Sequence, residues 1–172
     1  MGHINFEFKA RLRDEKLVRA VLRKLRARYV GTDRQVDTYF RVPSGRLKVR
    51  EGRIENALIF YRRSDTRQPR RAQVEMMLLP RRNSVRAILA SAMGKRVVVA
   101  KRREIYFVGN VKVHLDRVHG LGKFLEVEAI SHSGKLSKVR AQARKFRELF
   151  KIAASDLVAK SYADLALKKL SH

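Results

Sequence analysis

The sequence predicts an α+β fold, an antiparallel β-sheet with helices packed on its outside. Short segments in which apolar and polar residues alternate recur along most of the chain, and this period of two is typical of strands with one buried face. Only a few helical segments interrupt them, without the regular strand–helix alternation of parallel sheets. A third observation concerns function: the polar positions of these strands are nearly all charged.

The predicted strands begin at the start of the chain. The alternating apolar residues of the first strand are Ile4, Phe6, Phe8, Ala10 and Leu12. Further short strands with this pattern are predicted over 35–42, 46–51, 56–63, 72–79, 97–108, 112–118 and 123–130. Turn-forming residues such as Gly109-Asn110 separate them. The length of this uninterrupted series favours a single antiparallel sheet.

Helices are predicted in four places, over 14–29, 83–93, 135–151 and roughly 156–170. The first has an apolar stripe on one face, acidic residues in its first turn and Gly31 just past its end. The chain has no repeat of 20–50 residues and no linker rich in Gly, Ser or Pro. We therefore expect one domain over residues 1–172.

The composition excludes several classes of protein. The chain has 41 Lys and Arg against 16 Asp and Glu, a formal net charge of +25, and no Cys. The lack of Cys excludes a disulfide scaffold, a thiol nucleophile and a thiolate metal site. No apolar run approaches the roughly 20 residues of a membrane span, and no signal-peptide core precedes the first strand. We expect a cytoplasmic protein without a membrane span, and the positive charge indicates polyanionic binding partners.

The charged strand positions leave two architectures open. These positions are Glu7, Lys9, Arg11, Arg46, Lys48, Arg50, Arg62, Glu75, Lys101, Arg103, Asp116, Glu126 and Glu128. The intervening apolar positions, Ile59 and Val74 among them, are expected to face the helices. The sheet is either open with a solvated charged face, or curled into a barrel with a charged lumen. In a lumen, cations for phosphate oxygens and carboxylates for a divalent cation are the combination that a triphosphate site needs.

A series of short motifs runs through these strands in a fixed order. They are Asn5-Phe6-Glu7-Phe8-Lys9, Asp37-Thr38-Tyr39-Phe40, Arg46-Leu47-Lys48-Val49-Arg50-Glu51, the segment 101–109, His114-Leu115-Asp116, Gly120-Leu121-Gly122, Phe124-Leu125-Glu126-Val127-Glu128 and Ser161-Tyr162. The ordered set resembles the CYTH domain, or triphosphate tunnel metalloenzymes. This family includes class IV adenylyl cyclases, thiamine triphosphatases and inorganic tripolyphosphatases, and the later motifs are most similar to the cyclases.

The resemblance implies an antiparallel tunnel of roughly eight strands, with a charged lumen and helices outside. It implies that the triphosphate is bound by Lys9, Arg46, Lys48, Arg50, Arg62, Lys101 and Arg103. It implies that Mg²⁺ or Mn²⁺ is bound by Glu7, Glu126, Glu128 and Glu75. It also implies catalytic roles for Lys9, Arg50, Lys101 and Asp116, the last as a further lumen carboxylate.

The sequence departs from the family pattern at three positions. Asn5 replaces the first acidic residue of the opening motif, and Gln73 stands where an acid often faces Glu75. An amide oxygen can ligate a hard cation but brings no charge. Arg62 stands where the family more often has Lys, so a planar fork replaces a point charge. We interpret the two lost acidic residues, at Asn5 and Gln73, as altered specificity, with an inactive protein as the alternative.

Three functions remain open from the sequence. The first is a class IV adenylyl cyclase-like enzyme, and the second is an inorganic tripolyphosphatase or a nucleoside or thiamine triphosphatase. Both imply a triphosphate-containing small molecule as partner. The third is a non-catalytic protein that binds polyphosphate or nucleic acid through the basic outer faces of helices 14–29 and 135–151. The oligomeric state is also open, and a homodimer is one of its forms.

Overall fold

The computed structural model describes residues 2–131 and 136–171. In chain order the elements are β1 (Gly2–Arg11), α1 (Glu15–Lys24), β2 (Arg28–Phe40), β3 (Arg46–Glu51), β4 (Ala57–Arg63), β5 (Arg70–Leu78), α2 (Val85–Met93), β6 (Lys95–Val108), β7 (Val111–Val118), β8 (Gly122–Ser131), α3 (Leu136–Leu149) and α4 (Tyr162–Leu170). A single 3₁₀ turn, Ala154–Asp156, precedes α4. None of the helices in the described part of the chain is long and apolar enough to cross a membrane.

The strands form a closed antiparallel barrel in the order β1-β5-β4-β3-β2-β6-β7-β8. It closes because β1 pairs with β5 along one edge and with β8 along the other. The predicted eight-stranded tunnel with helices outside is therefore confirmed, and the open sheet is wrong. Successive residues of a strand point to opposite faces, so each strand has one set of side chains in the lumen and one outside.

The main hydrophobic core lies outside the barrel, between its wall and the helices. The outward residues Phe8, Val113 and Val127 are buried beneath Val18 of α1 and Phe146 of α3. A second cluster closes one end of the barrel, where α4 packs against strand residues. Its buried members are Tyr39, Val97, Val99, Val118, Phe124, Tyr162 and Ala163. The helices thus leave the lumen free except at the α4 end.

Helix α1 is shorter than predicted. It ends at Lys24, Arg26 takes a left-handed backbone conformation (φ 50°), and β2 begins at Arg28. The amphipathic pattern of 14–29 continues into residues that pair with β6, so the long β2–β6 ladder overrides the local helical pattern. Gly31 does not cap a helix; it follows a register shift in β2 with a φ of 148°.

Helix α4 also begins later than predicted. Its first residue is Tyr162, after a capping box in which the Ser161 hydroxyl accepts from the backbone N–H of Asp164 at 3.1 Å. The Asp164 carboxylate in turn accepts from the backbone N–H of Ser161 at 3.1 Å. This reciprocal pair fixes the start of the helix. It places Tyr162 at the end of the lumen.

Candidate active site in the barrel lumen

The inside of the barrel is a cavity of about 950 Å³. Side chains from all eight strands line it, and Ser161 and Tyr162 form its floor at the α4 end. A cavity of this size is in the range that binds small organic ligands. The predicted charged residues can therefore be sorted by whether they reach this space.

Strands β1 and β8 bring two pairs of charged residues together. Lys9 lies opposite Glu126 and Glu7 lies opposite Glu128 in the ladder, and all four line the cavity. The Lys9 Nζ is 2.9 Å from Glu126 Oε1 and 3.5 Å from the centre of the Tyr162 ring. Burial lowers the pKa of Lys9 to about 8, although Glu126 opposes this shift.

Three cations surround Asp37 on β2. The Asp37 carboxylate is 2.9 Å from Lys48 Nζ, 2.8 Å from Arg50 Nε and 2.6 Å from Lys101 Nζ. Burial alone would raise the pKa of Asp37, but Arg50, Lys101 and Lys48 together hold it well below its usual range. Burial lowers the pKa of Lys101 to about 7, with Asp37 opposing. The group has two more positive charges than negative ones when all three cations are protonated, so it favours an anion.

Arg103 connects this group to β7 and β8. Its Nε donates to Asp116 Oδ1 at 2.7 Å, and its Nη2 bonds Glu126. The Tyr162 hydroxyl donates to Asp116 Oδ2 at 2.7 Å. Asp116 is 2% exposed and lies behind Arg103, so it orients that guanidinium. Lys101, likewise buried, lies beneath Asp37.

Two predicted site residues do not face the lumen. Arg62 and Glu75 are both exposed and neither lines the lumen, so the structure does not bring the predicted phosphate ligand Arg62 or the predicted metal ligand Glu75 into this cavity. Arg62 lines instead a smaller cleft beside α4. On β4 it is the odd-numbered residues that point inward, and Arg63 lines the cavity. The alternating pattern shows that two sets of side chains face opposite sides of the strand. In β4 both sets contain apolar and cationic residues, so the sequence does not show which set faces the lumen. Gln73 is exposed on the same outer face as Glu75, so its departure from the family pattern does not alter the lumen.

The inward residues of β4 and β5 form an apolar wall. Ala57, Ile59, Val74 and Met76 line the cavity there, so the prediction that Ile59 and Val74 face the helices is wrong. In the barrel order β4 and β5 lie across the lumen from β6 and β7. The cavity thus has two unlike sides. The charged wall consists of Glu7, Lys9, Lys48, Arg50, Arg103, Lys112, Glu126 and Glu128.

Arg46 is separate from the charged wall. It lines a neighbouring cleft of about 640 Å³ beside α4. Its Nη2 is 2.9 Å from Asp65 and 2.8 Å from Asp164. Of the predicted phosphate ligands, the structure brings together Lys9, Lys48, Arg50 and Arg103 in the lumen. Arg46 lies in the neighbouring cleft instead.

Three side chains of β7 and β8 lie close enough together to hold a metal ion. His114, Glu126 and Glu128 each offer a ligand atom, and these atoms lie within 4.8 Å of one another. His114 is 1% exposed, and its Nδ1 lies 3.8 Å from Glu126 and from Glu128. Within the described residues, neither ring nitrogen of His114 makes a hydrogen bond, and neither does the Oδ1 of Asn5, which is 2% exposed. Buried polar atoms are normally paired, so this donor set fits a divalent cation.

The Glu7 side chain points away from this cluster, toward Arg63 and Arg70. Its Oε1 bonds Arg63 Nη1 and is 3.7 Å from Arg70 Nε. Glu7 therefore joins the cluster of His114, Glu126 and Glu128 only if it leaves Arg63. The structure brings Glu126 and Glu128 together as predicted and leaves Glu7 paired with a cation.

Sequence reasoning gave no role to several residues that line the cavity. Glu55, in the loop between β3 and β4, accepts from Arg50 Nη1 at 2.8 Å and bonds Lys112. Its position depends on buried Asp33, which accepts from the backbone N–H of Arg53 and of Glu55. No local pattern identifies a loop carboxylate of this kind. For His114 the signal is present in the sequence, since it has the same parity as Asp116 on β7 and the alternation therefore allows it a place in the lumen.

The comparisons with known proteins agree with this geometry. Residues 3–162 match the CYTH domain family. The chain is 27% identical to a Methanocaldococcus jannaschii protein provisionally named as an adenylate cyclase, over 94% of this chain and 98% of that protein. It is 28% identical to the adenylate cyclase CyaB of Aeromonas hydrophila, over 99% of this chain and 92% of that protein. Its fold is similar to that of a Hippeastrum protein provisionally called an adenylyl cyclase, for which a dominant triphosphatase activity is described (TM-score 0.60, 11% identity, 98% of this chain and 96% of that chain).

Proposed function

The chain belongs to the CYTH domain family, and we propose that it is a metal-dependent enzyme that acts on an organic triphosphate inside the barrel. The reaction we favour is that of a class IV adenylyl cyclase, in which ATP gives cyclic AMP and pyrophosphate. One observation carries the proposal: buried cations of three strands converge on one cavity whose opposite side is apolar.

The charged wall supports triphosphate binding. Lys9, Lys48, Arg50 and Arg103 of this wall reach the cavity, and each is held in place by a carboxylate beside it. Arg63, at the end of β4, adds a fifth cation to the cavity and bonds Glu7. Cations that are already oriented need little rearrangement when an anion arrives, which is the basis of electrostatic catalysis of phosphoryl transfer.

The apolar wall supports an organic substrate over inorganic tripolyphosphate. An inorganic triphosphate has only oxyanions to present, and it would leave Ile59, Val74 and Met76 facing water. A ligand with a base or another apolar group would cover them, at a gain of roughly 25 cal/mol per Å² of apolar surface buried. The two walls together therefore fit a molecule with one polyanionic end and one apolar end.

Metal binding would use the donors on β7 and β8. Glu126, Glu128 and His114 would hold the ion, with the amide oxygen of Asn5 and, after it leaves Arg63, Glu7 as further ligands. A bound Mg²⁺ or Mn²⁺ supplies charge neutralisation on the phosphate oxygens. Lys9 and Arg103 flank Glu126, so they would orient this carboxylate and contact the same phosphate groups.

A triphosphatase is the second candidate, because it would use the same two walls. The cyclase needs the ribose 3′-hydroxyl as nucleophile, whereas the triphosphatase needs water. The Hippeastrum protein of similar fold is described with a dominant triphosphatase activity. The third candidate, a protein that only binds polyanions, is supported by the change from an acidic residue to Asn5.

The deciding experiment is incubation of the purified protein with ATP or tripolyphosphate, with Mg²⁺ or with Mn²⁺. Cyclic AMP and pyrophosphate support the cyclase, and orthophosphate from ATP supports the triphosphatase. Turnover of tripolyphosphate in preference to ATP would contradict the role given to the apolar wall. Binding of ATP without any product would contradict catalysis. Arg50→Ala is the control for product formed outside the cavity.

A further inference from the structure

The outer face of the barrel carries a row of cations across four strands. Arg34 on β2 lies opposite Arg102 on β6, and Arg102 lies opposite Arg117 on β7. Arg117 in turn lies opposite Lys123 on β8. All four are exposed. Since neighbouring strands are about 4.8 Å apart, the row extends over roughly 14 Å. We call these four residues the outer cation row.

Most of this charge is not compensated. In the described part of the chain, the side chains of Arg34 and Arg117 make no hydrogen bond and no ion pair. Arg102 comes only within 3.8 Å of Glu104, and Lys123 is 2.9 Å from Glu15. Like charges directly opposite one another in a sheet are destabilising. Neutral polar residues at these four positions would leave the barrel at least as stable. The stability of the fold therefore does not explain why these positions are cationic.

The cavity does not account for the row either. The lumen side of the barrel holds eight cations and seven carboxylates, namely Lys9, Lys48, Arg50, Arg63, Arg70, Lys101, Arg103 and Lys112 against Glu7, Asp33, Asp37, Glu55, Asp116, Glu126 and Glu128. The sequence has 41 Lys and Arg and 16 Asp and Glu, so 33 of the cations and nine of the acidic residues belong to the rest of the chain. The net charge of +25 is thus almost entirely outside the site that binds the triphosphate.

Exposed apolar and aromatic side chains accompany the row on the same face. Val36 is 38% exposed and Val98 51% exposed, each an even number of residues from a member of the row on its own strand. Further along β2, Tyr29 is 52% exposed and packs against Tyr106 with ring centres 4.9 Å apart. The face therefore offers charge and apolar contact together.

We propose that this face binds single-stranded nucleic acid. The cations would contact successive phosphates, and the exposed Val and Tyr side chains would contact bases, which is how proteins bind single strands without sequence preference. Inorganic polyphosphate is a weaker candidate, because it has no apolar group that could contact the exposed Val and Tyr side chains. An anionic membrane surface would be contacted equally well by the basic side chains of α3. The proposal does not depend on the activity of the cavity.

The test is fluorescence anisotropy with a labelled 20-nucleotide oligouridine that has a 5′-hydroxyl, so that no triphosphate is offered to the cavity. The row variant is Arg34→Ser, Arg102→Ser and Arg117→Ser combined. The matched control is Arg140→Ser, Arg144→Ser and Lys145→Ser on α3, all exposed residues, which removes the same charge. Arg50→Ala tests whether the cavity takes part.

We expect the row variant to bind at least about tenfold more weakly and the control to stay within twofold. The slope of log K against log salt should fall by about 2 in the row variant, since each lost phosphate contact on a single strand removes about 0.7. The melting temperature of the row variant should not fall, because repulsion is relieved. Equal losses in both triple variants would overturn the proposal in favour of unspecific surface charge. Preference for long-chain polyphosphate, or for phosphatidylserine vesicles, over the oligonucleotide would also overturn it.

Discussion

The charged wall and the apolar wall of the cavity are made of the same kind of alternating strand, yet they differ in how their side chains are held. On the charged wall each cation is paired with a carboxylate, as Lys48 and Arg50 are with buried Asp37. On the apolar wall Ile59 and Val74 have no such partners and only present surface to the lumen. We therefore expect the charged wall to position the phosphate groups of the substrate and the apolar wall to select the organic group attached to them.

This difference predicts that changes to the charged wall affect catalysis, whereas changes to the apolar wall affect the choice of substrate. If both walls had the same role, equivalent substitutions on either side would have equivalent effects. Residues on the outer face of the same strands provide controls, because they share the backbone but not the lumen.

The largest effect is expected for Glu126→Gln. It removes the carboxylate that contacts both Lys9 and Arg103 and that belongs to the proposed metal ligands. We expect turnover to fall about 100-fold, as when one group that stabilises transition-state charge is lost. Product formation at saturating substrate measures this, with the melting temperature showing that the barrel is intact.

Glu75→Gln is the matched control for Glu126→Gln. Glu75 is exposed on the outer face, so its substitution should leave the rate unchanged. Equal rates for the wild type and Glu126→Gln would remove Glu126 from the site. A loss of activity in Glu75→Gln would contradict the inward and outward assignment of β5.

A comparison of neighbouring arginines on β4 should give the next largest effect. Arg63→Ala removes a cation that lines the cavity and bonds Glu7, whereas Arg62→Ala removes an exposed one. We expect Arg63→Ala to weaken triphosphate binding at least about tenfold, within the range for a charged group left without its partner. Arg62→Ala should stay within twofold. Calorimetric titration with a non-hydrolysable ATP analogue gives both values, and the opposite order would reverse the orientation of β4.

The β4 pair also shows what could be predicted from the sequence. The eight strands and the closure were predictable, because alternation locates strands and the ordered motifs carry the family's topology. The inward face of β1 and β3 was predictable, since one set of positions there is mostly charged and the other mostly apolar. On β4, Phe60 and Arg62 alternate with Ile59, Tyr61 and Arg63, so composition cannot orient the strand.

Contacts distant in sequence could not be predicted for a different reason. Asp37 receives Lys48, Arg50 and Lys101 from two other strands, and this depends on the register of the two ladders that β2 forms with β3 and β6. Glu55 reaches the lumen only because buried Asp33 holds its loop. The end of α1 at Lys24 likewise follows from the pairing of β2 with β6.

The apolar wall is tested by Val74→Thr, which keeps the shape of the side chain and adds a hydroxyl. We expect a loss of about threefold in affinity for ATP and no change for tripolyphosphate, because only the organic group contacts this wall. A polar group placed against an apolar ligand costs about this much when it is partly solvated. The ratio of the two affinities is the measurement. A loss shared by both ligands would show that the apolar wall supports the barrel and not the substrate.

The smallest effect is a pH dependence that should belong to the charged wall alone. Burial lowers the pKa of Lys101 to about 7, and a lysine is charged below its pKa, so the Asp37 group loses one positive charge as the pH rises from 6 to 8. Affinity for tripolyphosphate should fall by several-fold over this interval, with proton uptake on binding near pH 7. In Lys101→Met the fall between pH 6 and 7 should disappear, and a smaller fall toward pH 8 should remain because the pKa of Lys9 is about 8. In Val74→Thr the profile should keep its wild-type shape. A fall of the same size in Lys101→Met would assign the titration to another group of the cavity.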